Sequence, residues 1–434
     1  MTVLTSWTAV DEPEVAEGAR DLLGMGAIAD GIAEEIAPNL RQGTMRARYY
    51  TMLAVGTRAV EEANDTTAAR LRRFFRWERL WLASLFASCA KKSSDLRAQV
   101  KKQAPGLLGT GIGGRSIQRF EELWPVWTKK GIDLGEFVPL QAPQTSGAYG
   151  RYAGSARESG LLSRASGLAL EKAGQELVEA FEDSRSQQFV SSLRTALGEA
   201  RPETSTTLFK SHLPALGLDR PKLREREILV ERLLEGESRT LLAARVVGEE
   251  LGGVAEPSKK QWSASISACA KRAAAINGEG KLLSDALLAA AGYDPFRKAL
   301  EETLLTVSKR VAASGEWAVD EKALANDPKV LERIAVVDKT ARRLLASPEV
   351  EATAALRGRV KDASCSTVGG VLALLGAQHS AVCAARGTST WFTWRDTSLA
   401  FVRRISGAPG DGLGRYRLAS LASLMNDLQW KVKS

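Results

Sequence analysis

Apolar side chains return every three or four residues through one long stretch of this chain. Leu71, Phe74, Phe75, Leu82, Leu85, Phe86 and Cys89 fall on one face of a helix predicted over roughly 66–90. Ala and Leu, both abundant here, are strong helix formers. Comparable patterns predict helices near 26–36, from about 46 onward, and over 168–183, 222–235, 240–251, 259–275, 281–291, 295–313, 329–346 and 350–361. The fold class they imply is all-α: a multi-domain helical bundle architecture with little or no sheet.

The 434 residues correspond to two to four domains at roughly 100–200 residues each. Glycine, proline and charge suggest where to divide them. Residues 1–135 read as an N-terminal helical domain with an acidic start and a basic second half. Residues 136–165, with Pro139, Pro143 and several glycines, read as a loop or linker. Residues 166–383 read as a central helical domain, and 384–434 as a basic segment containing Trp and Arg.

Charge is distributed unevenly behind the net value of +9. Residues 1–40 hold one basic and eight acidic residues, whereas 41–119 hold 16 basic and five acidic, and 384–434 eight basic and three acidic. The middle of the chain is neutral. Concentrated positive charge is the footprint of a polyanion partner. The plainer reading is that the acidic start folds against the basic segment that follows it.

Within the long helix, Arg72, Arg76 and Arg79 lie at i, i+4 and i+7, on a different stripe from the apolar face. Arg46 and Arg48 precede it, and Lys91, Lys92, Lys101, Lys102 and Arg115 continue the charge beyond it. Arg403 and Arg404 follow an aromatic run, Trp391-Phe392-Thr393-Trp394-Arg395. Together these are the candidate nucleic-acid contacts, since guanidinium and ammonium groups on a supported surface can hold phosphates. The aromatic run can stack bases, although ten tryptophans in a helical chain mostly serve as packing anchors.

Several catalytic patterns occur only in part. Gly109, Gly111 and Gly114 match G-x-G-x-x-G, but no hydrophobic strand precedes them, so a flexible connection is the expectation. Asp320-Glu321-Lys322 and Glu279-Gly280-Lys281 have the letters of a carboxylate–lysine nuclease core without a convincing strand. The pair 222–235 and 240–251, hinged near Gly236, has the length of a helix-turn-helix, yet no recognition helix is evident and an ordinary helical hairpin is the plainer reading. Only His212 and His379 occur, and both are expected to be structural. Cys89, Cys269, Cys365 and Cys383 lack metal-ligand spacing and are expected as free thiols. The expectations are therefore no catalytic set, no metal and no cofactor. With no run of about 18 apolar residues and no leader-like start, no membrane span and a cytoplasmic location are expected.

Ser6-Trp7, the Arg46-Ala47-Arg48-Tyr49-Tyr50 element, the glycine-rich loop near 106–114 and the Gly147–Gly160 stretch carry a resemblance covering roughly residues 1–165. This part resembles an uncharacterised bacterial family of unknown function. Members of that family look like companions of helicase and methylase genes in anti-phage defence clusters. The resemblance implies a subunit of a multiprotein system and supplies no catalytic residues. The leading expectation is a non-catalytic, nucleic-acid-associated subunit, with DNA and other protein subunits as partners. The alternatives are a helical scaffold for a partner ATPase or helicase, and a divergent nucleic-acid-processing enzyme.

Overall fold

A computed structural model describes residues 21–41, 43–44, 46–61, 66–90, 98, 118–123, 125, 132–133, 147–165, 168–183, 203–204, 220–251, 259–276, 278–402, 405 and 416–431. In chain order the helices are α1 (Met25–Ile36), α2 (Ala47–Val60), α3 (Thr67–Ala90), α4 (Ala148–Glu158), α5 (Lys172–Asp183), α6 (Leu223–Val230), α7 (Ser238–Leu251) and α8 (Lys259–Ala274). They continue with α9 (Glu279–Ser314), α10 (Glu321–Leu324), α11 (Pro328–Ala346), α12 (Glu351–Asp362), α13 (Val368–Arg386) and α14 (Leu418–Asp427). A π-helical turn, Glu231–Glu235, follows α6 directly. The strands are β1 (Ile132–Asp133), β2 (Glu203–Thr204), β3 (Ala318–Asp320), β4 (Phe392–Arg395) and β5 (Ser398–Phe401). The protein is predominantly all-α, as the periodicity implies.

Contacts divide the chain into two compact units, and neither is a continuous segment. The first contains Met1–Ile36 and Ser258–Tyr416; the second contains Ala37–Pro257 and Arg417–Ser434. This partition differs from the four consecutive stretches suggested by composition. The expected linker, 136–165, contains α4, which belongs to the second unit. The C-terminal segment is shared: β4 and β5 belong to the first unit and α14 to the second.

In the first unit, α9 packs against α1, α8 and α11. It buries Leu283, Leu287, Ala290, Phe296, Leu300, Leu304 and Val307. Two helices, 281–291 and 295–313, were expected here. One continuous helix forms with Pro295 inside it. A proline there deletes one backbone hydrogen bond and crowds the preceding turn, and the apolar burial on both sides outweighs that cost. Burial of α1 is aided by the Tyr293 hydroxyl, which donates to the Met25 carbonyl at 2.6 Å. An antiparallel sheet in the order β3-β5-β4 completes this unit, with Phe392 opposite Phe401 and Ala318 opposite Ala400.

Helix α13 corrects one expectation, because it is long and apolar enough to cross a membrane by length and composition. Half of its apolar window is buried within the protein, and it packs on α11, α12 and β4. Its polar residues Gln378 and His379 bond to the backbone carbonyls of Leu23 and Leu22, at 2.7 and 2.8 Å. These are the features of a core helix.

In the second unit, α2 is buried on nearly every side, with Arg58 its exposed residue. It packs on α3, α4 and α5, while α7 packs on α14. Gly56 permits the close approach of α3: a Cβ there would lie 2.1 Å from the Trp77 ring.

Candidate nucleic-acid interface

Helix α3 is the element on which the cationic stripe depends. Thr66 caps its start, accepting a hydrogen bond from the Ala69 amide through its hydroxyl at 3.2 Å. Phe74, Trp77 and Trp81 are fully buried along one face, and Phe86 is buried on another side of the helix nearer its end. Trp77 donates its indole N–H to the Met52 carbonyl at 3.2 Å, locking α3 to α2. Trp81 meets Tyr49 edge-on at 5.1 Å, and Tyr152 meets both Tyr49 and Tyr50 at 5.4 and 5.0 Å. Edge-to-face contacts of this kind add orientation to area burial.

Opposite that aromatic face, Arg72 is exposed and Arg76 and Arg79 are half-buried. Arg72 and Arg76 make no ion pair with a described residue. The neighbouring arginines are engaged: Arg73 donates to the Val60 carbonyl at 3.1 Å and Arg70 to the Leu168 carbonyl at 3.5 Å. The three-residue stripe expected from the sequence is thus one face of a single, firmly seated helix.

Arg46 and Arg48 have other roles. Arg48 is buried and ion-paired with Glu225, which is also buried and accepts from the Thr51 hydroxyl at 3.2 Å. The second arm of the Arg48 guanidinium donates to the Arg220 carbonyl at 2.7 Å. A cation placed this way cannot meet a phosphate, because its fork is already filled and desolvated. Arg46 pairs with Asp427 at 3.0 Å, and the same carboxylate caps the Ala47 amide at 2.9 Å. The Arg46–Tyr50 element therefore docks the start of α2. Lys91, Lys92, Lys101, Lys102, Arg115, Arg403, Arg404 and the glycine-rich loop lie outside the described residues, as do the acidic residues before Asp21. Asp21 itself caps α1, accepting from the Gly26 amide at 2.8 Å, and pairs with Arg386 at 3.6 Å within the first unit.

Glu78 faces the interior from α3. Its carboxylate accepts from the Ala148 amide at the start of α4. Burial pushes its pKa up to about 7, with backbone hydrogen bonds from Ala148 and Tyr149 opposing the shift. Gly147 is pressed against it, since a Cβ there would lie 2.4 Å from the carboxylate oxygens.

The second unit also carries a shallow cleft of about 550 Å³ that sequence reasoning did not anticipate. Arg157, Arg164, Lys172 and Arg232 line it, together with Glu158 and Glu171. Arg157 lies over the Tyr149 ring, 5.6 Å from its centroid, and donates to the Tyr149 hydroxyl at 3.1 Å. Arg157 and Arg164 were hidden by the glycines around them, and Arg232 by its unremarkable helical context.

The remaining chemical candidates are structural. His379 donates from Nδ1 to the Leu22 carbonyl at 2.8 Å and accepts at Nε2 from the Trp391 amide at 2.8 Å. It stacks on Phe392 at 4.2 Å, and burial lowers its pKa. Cys383 lies 3.5 Å from Nε2, but that nitrogen already accepts the Trp391 amide, so it cannot serve as the cysteine's base. Cys269, Cys365 and Cys383 are buried, and His212 lies outside the described residues. Asp320 does end a strand, yet its carboxylate caps the Lys322 amide and accepts from Thr397, while Glu321 accepts from the Gly369 amide. Among the described residues no group of three metal-ligating side chains converges. Phe392 is core, and β4 carries the aromatic run into the sheet. Compared with protein-family models, curated proteins and solved structures, the chain matches none.

Proposed function

We propose that this chain is a non-catalytic, nucleic-acid-associated subunit that holds a phosphate backbone on α3. The observation that supports this reading is the stripe of Arg72, Arg76 and Arg79 opposite a face anchored by Trp77 and Trp81. Two of these guanidinium groups, those of Arg72 and Arg76, have no ion pair with a described residue. A rigid helix bearing unsatisfied guanidinium groups loses little entropy on meeting phosphates and makes charge-assisted, bidentate contacts. Phosphate contacts position a protein without reading bases, so the reading implies no sequence preference. The resemblance of the N-terminal third adds the setting: a bacterial multiprotein system of the anti-phage kind, in the cytoplasm, acting beside other subunits.

Binding of labelled single-stranded and duplex DNA, followed by anisotropy over a salt series, tests this reading. Affinity should fall steeply with salt, and R72A/R76A should lower the log–log salt slope by roughly 1 per arginine. Salt-indifferent binding, or a slope unchanged in the double variant, overturns the reading.

A second reading, a scaffold for a protein partner, is favoured by Trp317 and Val402, which are 52% and 65% exposed beside the small sheet. Large apolar side chains left in solvent at the end of a sheet are available for protein contact. Co-purification that survives nuclease treatment and is lost in W317S would favour it.

A further inference from the structure

We infer that the cleft lined by Arg157, Arg164, Lys172 and Arg232 binds a phosphate monoester of nucleotide size, using residues separate from the α3 stripe. Four cations reach the cleft from four places: the end of α4, the loop after it, the first residue of α5 and the π-helical turn. They face two carboxylates, Glu158 and Glu171. Glu158 is already shared by Arg41 at 3.4 Å and Arg164 at 3.3 Å. Arg232 pairs with Glu231 at 3.3 Å and Lys172 meets Glu176 at 3.8 Å, so a phosphate group enters by displacing exposed ion pairs around the cleft.

Two of the cations are held in position. Arg157 is pinned by ring and hydroxyl of Tyr149, whose ring packs at 6.0 and 6.2 Å from Phe74 and Phe75. Arg232 sits in the π-helical turn, whose Arg232 and Leu233 carbonyls accept from the Asn39 amide at 3.3 and 3.0 Å. Asn39 is fixed in turn, its side-chain oxygen accepting from Thr240 at 2.6 Å and its carbonyl from Ser155 at 2.7 Å. A π-helical turn is less favourable than continued α-helix and recurs at functional sites. Here a buried polar network supports it and so sets where Arg232 leaves the backbone.

The other two cations are free to exchange partners. The Arg164 side chain is 73% exposed, and Lys172, 91% exposed, meets Glu176 only at 3.8 Å. Exposed pairs of this sort contribute little, less than a charge-assisted contact to phosphate. The volume falls in the range of small-molecule sites, roughly 300–1,000 Å³, and exceeds what a bare phosphate needs. The monoester has two sources, a free nucleotide or the 5′-phosphorylated end of a strand.

Calorimetric titration of the full chain with inorganic phosphate, a nucleoside monophosphate, and one oligonucleotide with and without a 5′-phosphate separates these sources. The monophosphate should bind one to one and more tightly than inorganic phosphate. Binding should strengthen from pH 5 to pH 7.5 as the second phosphate proton, of pKa about 6, is lost. R164A/K172A should weaken binding about ten-fold or more, without changing the melting temperature. The singly altered R164Q should fall between. Preference for the 5′-phosphorylated oligonucleotide assigns a strand end; equal binding of both oligonucleotides alongside tight monophosphate binding assigns a free nucleotide. Failure of every phosphate compound to bind at millimolar concentration, or an unchanged affinity in R164A/K172A, overturns the site. Neither result bears on α3, whose test alters Arg72 and Arg76.

Discussion

Glu78 is an acid whose ordinary pKa is 4.5 and whose folded value is about 7, because burial disfavours its charge more than the Ala148 and Tyr149 amides restore it. The unfolded chain gives up this proton first as pH rises. Stability held by the protonated form is fully present below about pH 4.5 and is lost as pH climbs through 7. The shift corresponds to about 3 kcal/mol at most. Glu78→Gln should flatten the fall in denaturation midpoint between pH 5 and pH 8, and raise the midpoint at pH 8. A variant with the wild-type slope would show that Glu78 ionises freely. Arg48 poses the converse case. It and Glu225 are both buried, so Arg48→Ala strands a carboxylate without its cation. The expected loss is about 3–5 kcal/mol, read by urea denaturation. A loss under 1 kcal/mol would mean that the pair is open to water.

At the scale of elements, α2 and α3 meet where Gly56 lies under the Trp77 ring. Gly56→Val should force them apart and cost about 1–3 kcal/mol or more, visible as a lowered melting temperature. Periodicity exposed α3 in the sequence because its apolar residues obey the helical repeat without help. Helix α4 was obscured, since Gly150 and Gly154 interrupt it and its order comes from burial of Tyr152, Ala153 and Ala156. Pro295 marked a break that tertiary packing overrides. Strand β3 is three residues long and pairs with β5, some eighty residues onward, leaving no local pattern to read. The candidate site follows the same logic. Arg72, Arg76 and Arg79 were legible because their spacing places them opposite a core face. Arg48 was misread because its partner is 177 residues away, and charge alone does not distinguish a surface cation from a buried pair. The cleft drew its cations from separate elements, so no single stretch of sequence announced it.

For the whole molecule, the two units interleave in sequence. The second unit needs α14, whose Asp427 holds Arg46 and the Ala47 amide. A fragment of residues 37–257 should therefore melt at a lower temperature than the same segment joined to 417–434, and a peptide of 417–434 added in trans should restore part of the difference. An unchanged melting curve would show that α14 is dispensable. The first unit requires α1 in the same way, because Met25 and Ile32 fill its core and Tyr293 closes on the Met25 carbonyl. The same interleaving has a consequence during synthesis. Domains usually fold as they leave the ribosome, the N-terminal one first. Here the first unit is completed only when the chain reaches Tyr416 and the second only with α14, so neither is finished before the late segments are made. Until those elements emerge, the Arg46 end of α2 lacks Asp427 and the small sheet lacks β4 and β5, so each unit closes only with its last-made contacts.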